Sequence, residues 1–273
     1  MPTTQPAPSA RADLAVIGGS GFYSFLEGAE EVHVETPYGE PSAPIALGSV
    51  GGRDVAFLAR HGAGHRFPPH LINYRANLWA LRSLGVRQVL GPCAVGGLQP
   101  HTPPGSLVVP DQLVDRTRGR VQTFVTSGAA HAPFADPYCP SLRESLLRAA
   151  PDAVDGGAMV VIEGPRFSTR AESQWYAAQG WSLVNMTGLP EAVLARELGL
   201  CYAALALVTD LDAGVEAGES VDQATVFAMF ERNLERLRSV LADAIAGAPR
   251  PGADPCSAWL DDVDPAHRPG ATT

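Results

Sequence analysis

Short apolar runs recur along the chain at "DLAVI", "APIAL", "DVAFLAR", "VRQVLG", "SLVVP", "GAMVVIEG" and "CYAALALVT". Their length and richness in Val, Ile, Leu and Ala predict buried strands. Between them the period changes. Leu71, Tyr74, Leu78 and Leu81 recur at intervals of three or four and Gly85 follows, which predicts a helix closed by glycine. Val226, Phe230, Leu234, Leu237 and Leu241 form a second helical stripe, running to about Ile245, with Asp222 or Ser220 as its N-cap. "VVIEGPRFSTRAES" reads as a strand, a charged turn and a helix starting near Ser168 or Thr169, where Glu172 completes a capping box. "LVNMTGLPEAVLARELGL" repeats that order, its helix opened by Pro190. Strands alternating with helices predict one α/β domain around a central sheet. Residues 1–11 read as a flexible lead and 12–246 as the domain. The Pro- and Gly-rich stretch 247–273 reads as an irregular tail, pinned locally by Trp259 and Leu260.

Composition narrows the function. The 273 residues are 45% apolar and 18% charged, the balance of an ordinary globular protein. No apolar run reaches the roughly 18–20 residues of a membrane span. "MPTTQPAPSARAD" lacks the apolar core of a secretory signal, so a cytoplasmic protein is expected. Cys93, Cys139, Cys201 and Cys256 are scattered without a CxxC spacing, which argues against structural zinc or a disulfide framework and fits a reducing compartment. The net charge of −9 and the lack of a basic run argue against a nucleic-acid partner. All 20 basic residues are arginine. Without lysine there is no Walker A loop, no Schiff base and no lysine general base. An anion must be held by arginine, histidine, hydroxyls and backbone amides.

Several segments offer such groups. Gly18, Gly19, Ser20 and Gly21 follow the first strand, where backbone amides and the Ser20 hydroxyl can face an anion. A dinucleotide loop is the competing reading, but GxGxxG fails because Ser24 takes the third glycine position. A plain tight turn competes equally. "LARHGAGHRFPPHLINYRAN" gathers Arg60, His61, His65, Arg66 and His70; Arg60 offers a fork of donors for phosphate and His61 another. A solvated surface loop and zinc are the rivals there, yet for zinc Gly62, Gly64, Pro68 and Pro69 deny the helix that would align His61 with His65. Phe167, at the mouth of a strand, can stack on a planar ligand, and the Met186 thioether suits the face of a sugar.

Asp210 and Asp212 in "VTDLDAG" lie at i and i+2, which places both carboxylates on one side of an extended strand. Three uses stand open: a metal site of the sugar-nucleotide transferase kind, two solvated charges at a strand end, or recognition of a base. Neighbouring carboxylates repel, which raises one pKa and favours a proton usable in general acid catalysis.

"IGGSG", "RHG", "NYRANLWAL", "EGPRFSTRAES", "NMTGLPE" and "VTDLDAG" occur here in the order found in the purine nucleoside phosphorylase family. From about Val16 to Ile245 the chain resembles that family, and within it the S-methyl-5'-thioadenosine phosphorylase branch. The resemblance implies a central mixed, partly barrel-like sheet flanked by helices, and attack of inorganic phosphate on C1' of a purine nucleoside. It implies no metal and no organic cofactor. The phosphate site would be Ser20, Arg60, His61, Thr187 and the backbone of Ala94. Met186 would face the ribose and Phe167 the base. Val226, Phe227 and Val221 would line an apolar pocket for the 5' group, which His131 would complete from a neighbouring subunit of a homotrimer. Branches acting on 6-oxopurines carry asparagine at the first acidic position, those acting on 6-aminopurines aspartate. Asp210 would therefore handle the proton of the leaving base, and Asp212 would accept from its amino group. One departure stands out: Cys93 occupies a position where the family has a hydroxyl residue, and a thiol is a weak donor. The alternatives are a 6-oxopurine or broad-specificity phosphorylase and, favoured only by Cys93, a nucleoside-binding protein without catalysis.

Overall fold

The computed structural model describes residues 11–19, 22, 25, 26, 28–214, 222–252, 255–264 and 267–269. Its strands are β1 (Leu14–Gly18), β2 (Glu30–Val32), β3 (Ile45–Val50), β4 (Arg53–Ala59), β5 (Gln88–Gly97), β6 (Leu107–Val109), β7 (Gln112–Arg116), β8 (Val154–Asp155), β9 (Ala158–Ile162), β10 (Leu183–Asn185) and β11 (Cys201–Leu211). The helices are α1 (Tyr74–Ser83), α2 (Pro140–Ala149), α3 (Arg170–Ala178), α4 (Gly188–Glu197), α5 (Gln223–Arg232), α6 (Leu234–Gly247) and α7 (Pro255–Ala258). Every strand belongs to one mixed sheet.

The sheet forks at β5. Its first residues pair in parallel with β1, its last two pair antiparallel with β10, and β11 runs parallel beside its whole length. Such a branch requires a strand buried on both faces, and β5 and β11 are nearly continuous apolar runs. Alternate residues of β11 serve different cores. Ala204, Ala206 and Val208 pack on one side with Leu78 and Leu81 of α1 and Leu194 of α4. Ala203, Leu205 and Leu207 pack on the other with Leu142 and Leu146 of α2 and Leu237 and Leu241 of α6. The period of two in the strand thus meets a helical stripe on each face. The expected single α/β domain with a mixed sheet flanked by helices is what forms.

Three local differences have physical causes. The first helix starts at Tyr74 rather than Leu71, because the Asn73 side chain accepts from the Ala76 N–H and caps it. Leu71 is left in a 3-10 turn, 60% exposed. The long C-terminal helix breaks at Asn233, whose side chain donates to the Met229 carbonyl and so competes with the helical ladder. Asp222 caps α5 as expected; Ser220 lies outside the described residues. The third concerns the cysteines. Sequence spacing leaves them scattered, yet folding brings the thiols of Cys139, Cys201 and Cys256 within 4.8 Å of one another. Beyond Gly247 the chain forms α7 and a further 3-10 turn, and buried Trp259 donates through Nε1 to the Arg196 carbonyl. Among the described residues no helix is long and apolar enough to cross a membrane.

Candidate active site

Strands β1 and β4 run parallel and end level with each other, at Gly18 and Ala59. The residues that follow, Gly19 and Arg60, open onto a cavity of about 300 Å³. Cys93 to Gly96 of β5 form one wall of it; the ends of β9, β10 and β11 with the loops that follow them, the Arg60–Pro69 segment and α5 supply the rest. This is the usual place for a ligand in an α/β sheet, beyond the carboxyl ends of parallel strands.

At the Gly19 end the backbone approaches side chains closely. A Cβ on Gly19 would lie 2.8 Å from Arg60 Nη1 and 3.0 Å from the Pro92 carbonyl oxygen. Arg60 is buried, and its fork is turned mainly away from the cavity. Nε and Nη2 donate to the two oxygens of Glu191 at 2.7 and 2.8 Å, Nη2 also reaches the Ile17 carbonyl, and Nη1 the Pro92 carbonyl. The expected fork for phosphate is therefore largely a fork for Glu191, with Nη1 nearest the Gly19 turn. Burial opposes the guanidinium charge, but the charge and hydrogen bonds of Glu191 outweigh it and hold the pKa above its ordinary value. Tyr202 donates to the same Glu191 carboxylate at 2.7 Å.

His61 is buried beside Arg60, with Nδ1 2.9 Å from the Phe67 carbonyl oxygen. That contact fixes the proton on Nδ1 and leaves Nε2 as an acceptor. Burial lowers its pKa to about 3, and the neighbouring His65 and Arg60 act in the same direction. His61 is thus a neutral ring at pH 7 and adds no second positive charge. His65 stacks on it at 4.0 Å without the helix that zinc binding by HxxxH would use, and meets Phe227 edge-on at 5.8 Å.

Asn185 bolts this region together. Its Nδ2 donates to the Ala94 carbonyl, while its Oδ1 accepts from the N–H groups of Thr187 and Gly188 at 2.7 Å each. Asn185 thus takes the first N–H of α4, that of Gly188, and the Thr187 side chain makes no helix-cap hydrogen bond. Thr187, Ala94, His61 and Arg60 all line the cavity; Ser20 lies outside the described residues.

Three residues beyond Cys93 on β5, about 10 Å along the strand, Gly96 underlies the acidic pair. A Cβ there would lie 3.2 Å from Asp212 Cβ and 3.4 Å from Asp210 Oδ1, so both aspartates occupy the same side. A bulge between Val208 and Asp210 sets this register. Thr209 donates to Asp210 at 2.7 Å. Ser173, from α3, donates to Asp212 at 2.5 Å. Burial raises the Asp210 pKa to about 6 against the Thr209 hydrogen bond, and the Asp212 charge adds to the rise. Burial also raises Asp212, opposed chiefly by the hydrogen bond from Ser173. Repulsion between the two is thus the lesser cause. Nor is Asp212 a solvated charge, since it is only 3% exposed, and Asp210 beside it is partly buried.

Phe167 and Met186 border the cavity from two loops, and Arg120 joins those loops. Its guanidinium donates to the carbonyls of Met186 and Leu189 at 2.8 and 2.6 Å, and to that of Glu163 at 2.5 Å. Val226 and Phe227 of α5 close another side. Val221 lies outside the described residues, and His131 is exposed and not among the cavity-lining residues.

Glu191, Ser173 and Thr209 belong to the site although spacing alone does not single them out. Each stands inside a motif visible in the chain: "NMTGLPE", "EGPRFSTRAES" and "VTDLDAG". Arg120 has no such signature.

Comparison with known proteins agrees with this architecture. Residues 13–246 match the Phosphorylase superfamily. The S-methyl-5'-thioadenosine phosphorylase of Mycolicibacterium smegmatis is 64% identical over 233 residues, covering 85% of this chain and 90% of that one. The purine nucleoside phosphorylase of Streptomyces coelicolor is 58% identical over 274 aligned positions, covering 95% and 98%. Among solved structures, the methylthioadenosine phosphorylase of Schistosoma mansoni in complex with adenine superposes with a TM-score of 0.83 at 39% identity, covering 86% and 91%. The chain belongs to the Phosphorylase superfamily, in its family of purine nucleoside and methylthioadenosine phosphorylases.

Proposed function

We propose that the protein catalyses phosphate-dependent cleavage of S-methyl-5'-thioadenosine to adenine and 5-methylthioribose 1-phosphate. The observation that carries this reading is the polarity of one cavity. A buried arginine beside Gly19, a neutral histidine and a threonine line it, and a carboxyl with a pKa of about 6 stands against Gly96, about 10 Å along β5 from Cys93. Inorganic phosphate is the second substrate, held by Arg60 Nη1, His61, Thr187, the backbone beside Ala94 and the Ser20 turn. Nε2 of neutral His61 accepts the P–OH hydrogen.

A phosphate oxygen attacks C1' as the C1'–N9 bond breaks and its electron pair passes to the purine. Asp210 places its proton on N7, so the base leaves neutral. Positioning of the phosphate against an oxocarbenium-like centre supplies the remaining electrostatic stabilisation. Asp212, held by Ser173, keeps lone pairs for the 6-amino group. The oxygen of a 6-oxo base offers no donor to match them. Phe167 faces the base and Met186 the ribose. Val226 and Phe227, with Val221, receive the methylthio group, and His131 serves a neighbouring subunit of a homotrimer. No metal or organic cofactor takes part, and residues 12–246 form the catalytic unit of a cytoplasmic enzyme.

A substrate panel tests this reading. Adenine release from methylthioadenosine should require phosphate, and inosine should stay inert. Equal or faster cleavage of inosine or methylthioinosine would favour the broader specificity that the Streptomyces relative's name suggests. Binding without turnover of any nucleoside would mean that the protein only binds.

A further inference from the structure

Outside the cavity the chain carries a second cluster of reactive groups. Cys139 precedes α2, Cys201 begins β11 and Cys256 lies in α7, so three distant segments deliver one thiol each. All three residues are buried, at 3% exposure or less. Their sulfurs lie within 4.8 Å of one another, and none is in a disulfide. We propose that Cys139, Cys201 and Cys256 form a binding site for a single thiophilic d10 cation such as Zn(II).

The geometry suits that ion. With metal–sulfur bonds of about 2.3 Å, tetrahedral coordination separates its sulfurs by about 3.8 Å. The present separations, all within 4.8 Å, are of that order. Cys139 stands at the N-terminus of a ten-residue helix, where the backbone N–H groups favour a thiolate. The hydroxyl of Ser141, 3.1 Å from the Cys139 sulfur, offers an oxygen for the fourth position. The Arg196 charge acts on Cys256 and offsets part of the negative charge that three thiolates bring. Arg196 is itself held by the carbonyls of Pro133 and Asp136. On binding, three S–H bonds release three protons and three metal–sulfur bonds form, with no change of oxidation state. The complex carries one net negative charge.

The site also explains what a metal would do here. Cys256 belongs to the segment after α6, whereas Cys139 and Cys201 belong to the body of the domain. A shared cation staples that segment in place, closing a long chain loop.

Cadmium is the probe, added anaerobically to full-length protein that has been reduced and stripped with chelator. Thiolate-to-cadmium charge-transfer absorption should saturate at one equivalent per chain. The melting temperature should rise by about 5 °C or more at a hundredfold excess over Kd. Cys256→Ala should lose the saturating band, and Cys93→Ala should keep it. Cadmium NMR of the unsubstituted protein counts the sulfurs directly, even where a variant fails to fold. No saturating band, a band that survives in Cys256→Ala, or a cadmium shift of fewer than three sulfurs would overturn the site.

Discussion

Arg60 and Glu191 share two hydrogen bonds of 2.7 and 2.8 Å, with each side chain 1% exposed. Removing one charge from such a buried pair strands the other, at a cost of about 3–5 kcal/mol. Glu191→Gln should therefore lower stability by roughly that amount. Bound phosphate then becomes the nearest counter-ion for Arg60, so phosphate should raise the melting temperature of Glu191→Gln more than that of the unsubstituted protein. Scanning calorimetry with and without phosphate measures both shifts. Equal shifts would place the phosphate out of electrical reach of Arg60.

This pair also marks where sequence legibility ends. Apolar periodicity identifies strands such as β1, β4, β5 and β11 because each is buried on both faces, and hydrophobic content survives as pattern. The short, polar strands β2, β7 and β8 have no such signal, since pairing rather than burial defines them. Arg60 and Asp210 are visible as charges at strand ends. The partner of Arg60 is not, because which acid meets it depends on a contact between residues 131 apart in the chain. The same holds for Arg120, an ordinary arginine in a loop until folding surrounds it with carbonyls, and for the three thiols, whose meeting no spacing encodes.

Asp210 makes a prediction with two readouts. Folded, its carboxyl keeps a proton up to about pH 6; its ordinary value is 3.8. Between those values the native state binds more protons than the unfolded one. The associated stability is full below about pH 3.8 and is lost as pH rises through about 6. Asp210→Asn removes that loss and should stabilise the protein at pH 7 by at most about 3 kcal/mol, reduced by the partial exposure of the site. The gain should vanish near pH 4. The variant should also lose turnover on methylthioadenosine while its relative rate on 6-oxopurines rises. In the unsubstituted enzyme kcat/KM should fall along a basic limb centred at or above about pH 6, absent in Asp210→Asn. An unchanged substrate ratio and an intact basic limb would remove Asp210 from the proton transfer.

Arg120 is a positioning residue. It joins the loop before Phe167 to the loop carrying Met186, through carbonyls of both. Lysine is a single ammonium and cannot span that set, so Arg120→Lys should fail almost as badly as Arg120→Ala. Each should raise the nucleoside KM by about tenfold, a common effect of misplacing contacts by a fraction of an ångström. Hydrogen exchange should quicken at residues 163–167 and 186–189. An unchanged nucleoside KM, with exchange unchanged in those loops, would reduce Arg120 to general stability.

Cys93 decides how far the phosphate site departs from a hydroxyl-bearing one. Burial pushes its thiol up to about 12, against the pull of the Arg60 charge. At pH 7 only about one molecule in 10⁵ then carries the thiolate, so Cys93 should stay unlabelled when iodoacetamide is applied to the folded enzyme and the products are mapped by mass. A buried thiol is also a poor hydrogen-bond donor to an anion. Cys93→Ser exchanges it for a hydroxyl of similar shape beside Gly19 and Arg60. One added hydrogen bond of about 0.5–1.5 kcal/mol corresponds to a roughly two- to tenfold lower phosphate KM, with the nucleoside KM unchanged. If steady-state kinetics find the phosphate KM unaltered, Cys93 does not touch phosphate. The thiol would then only fill space behind the site.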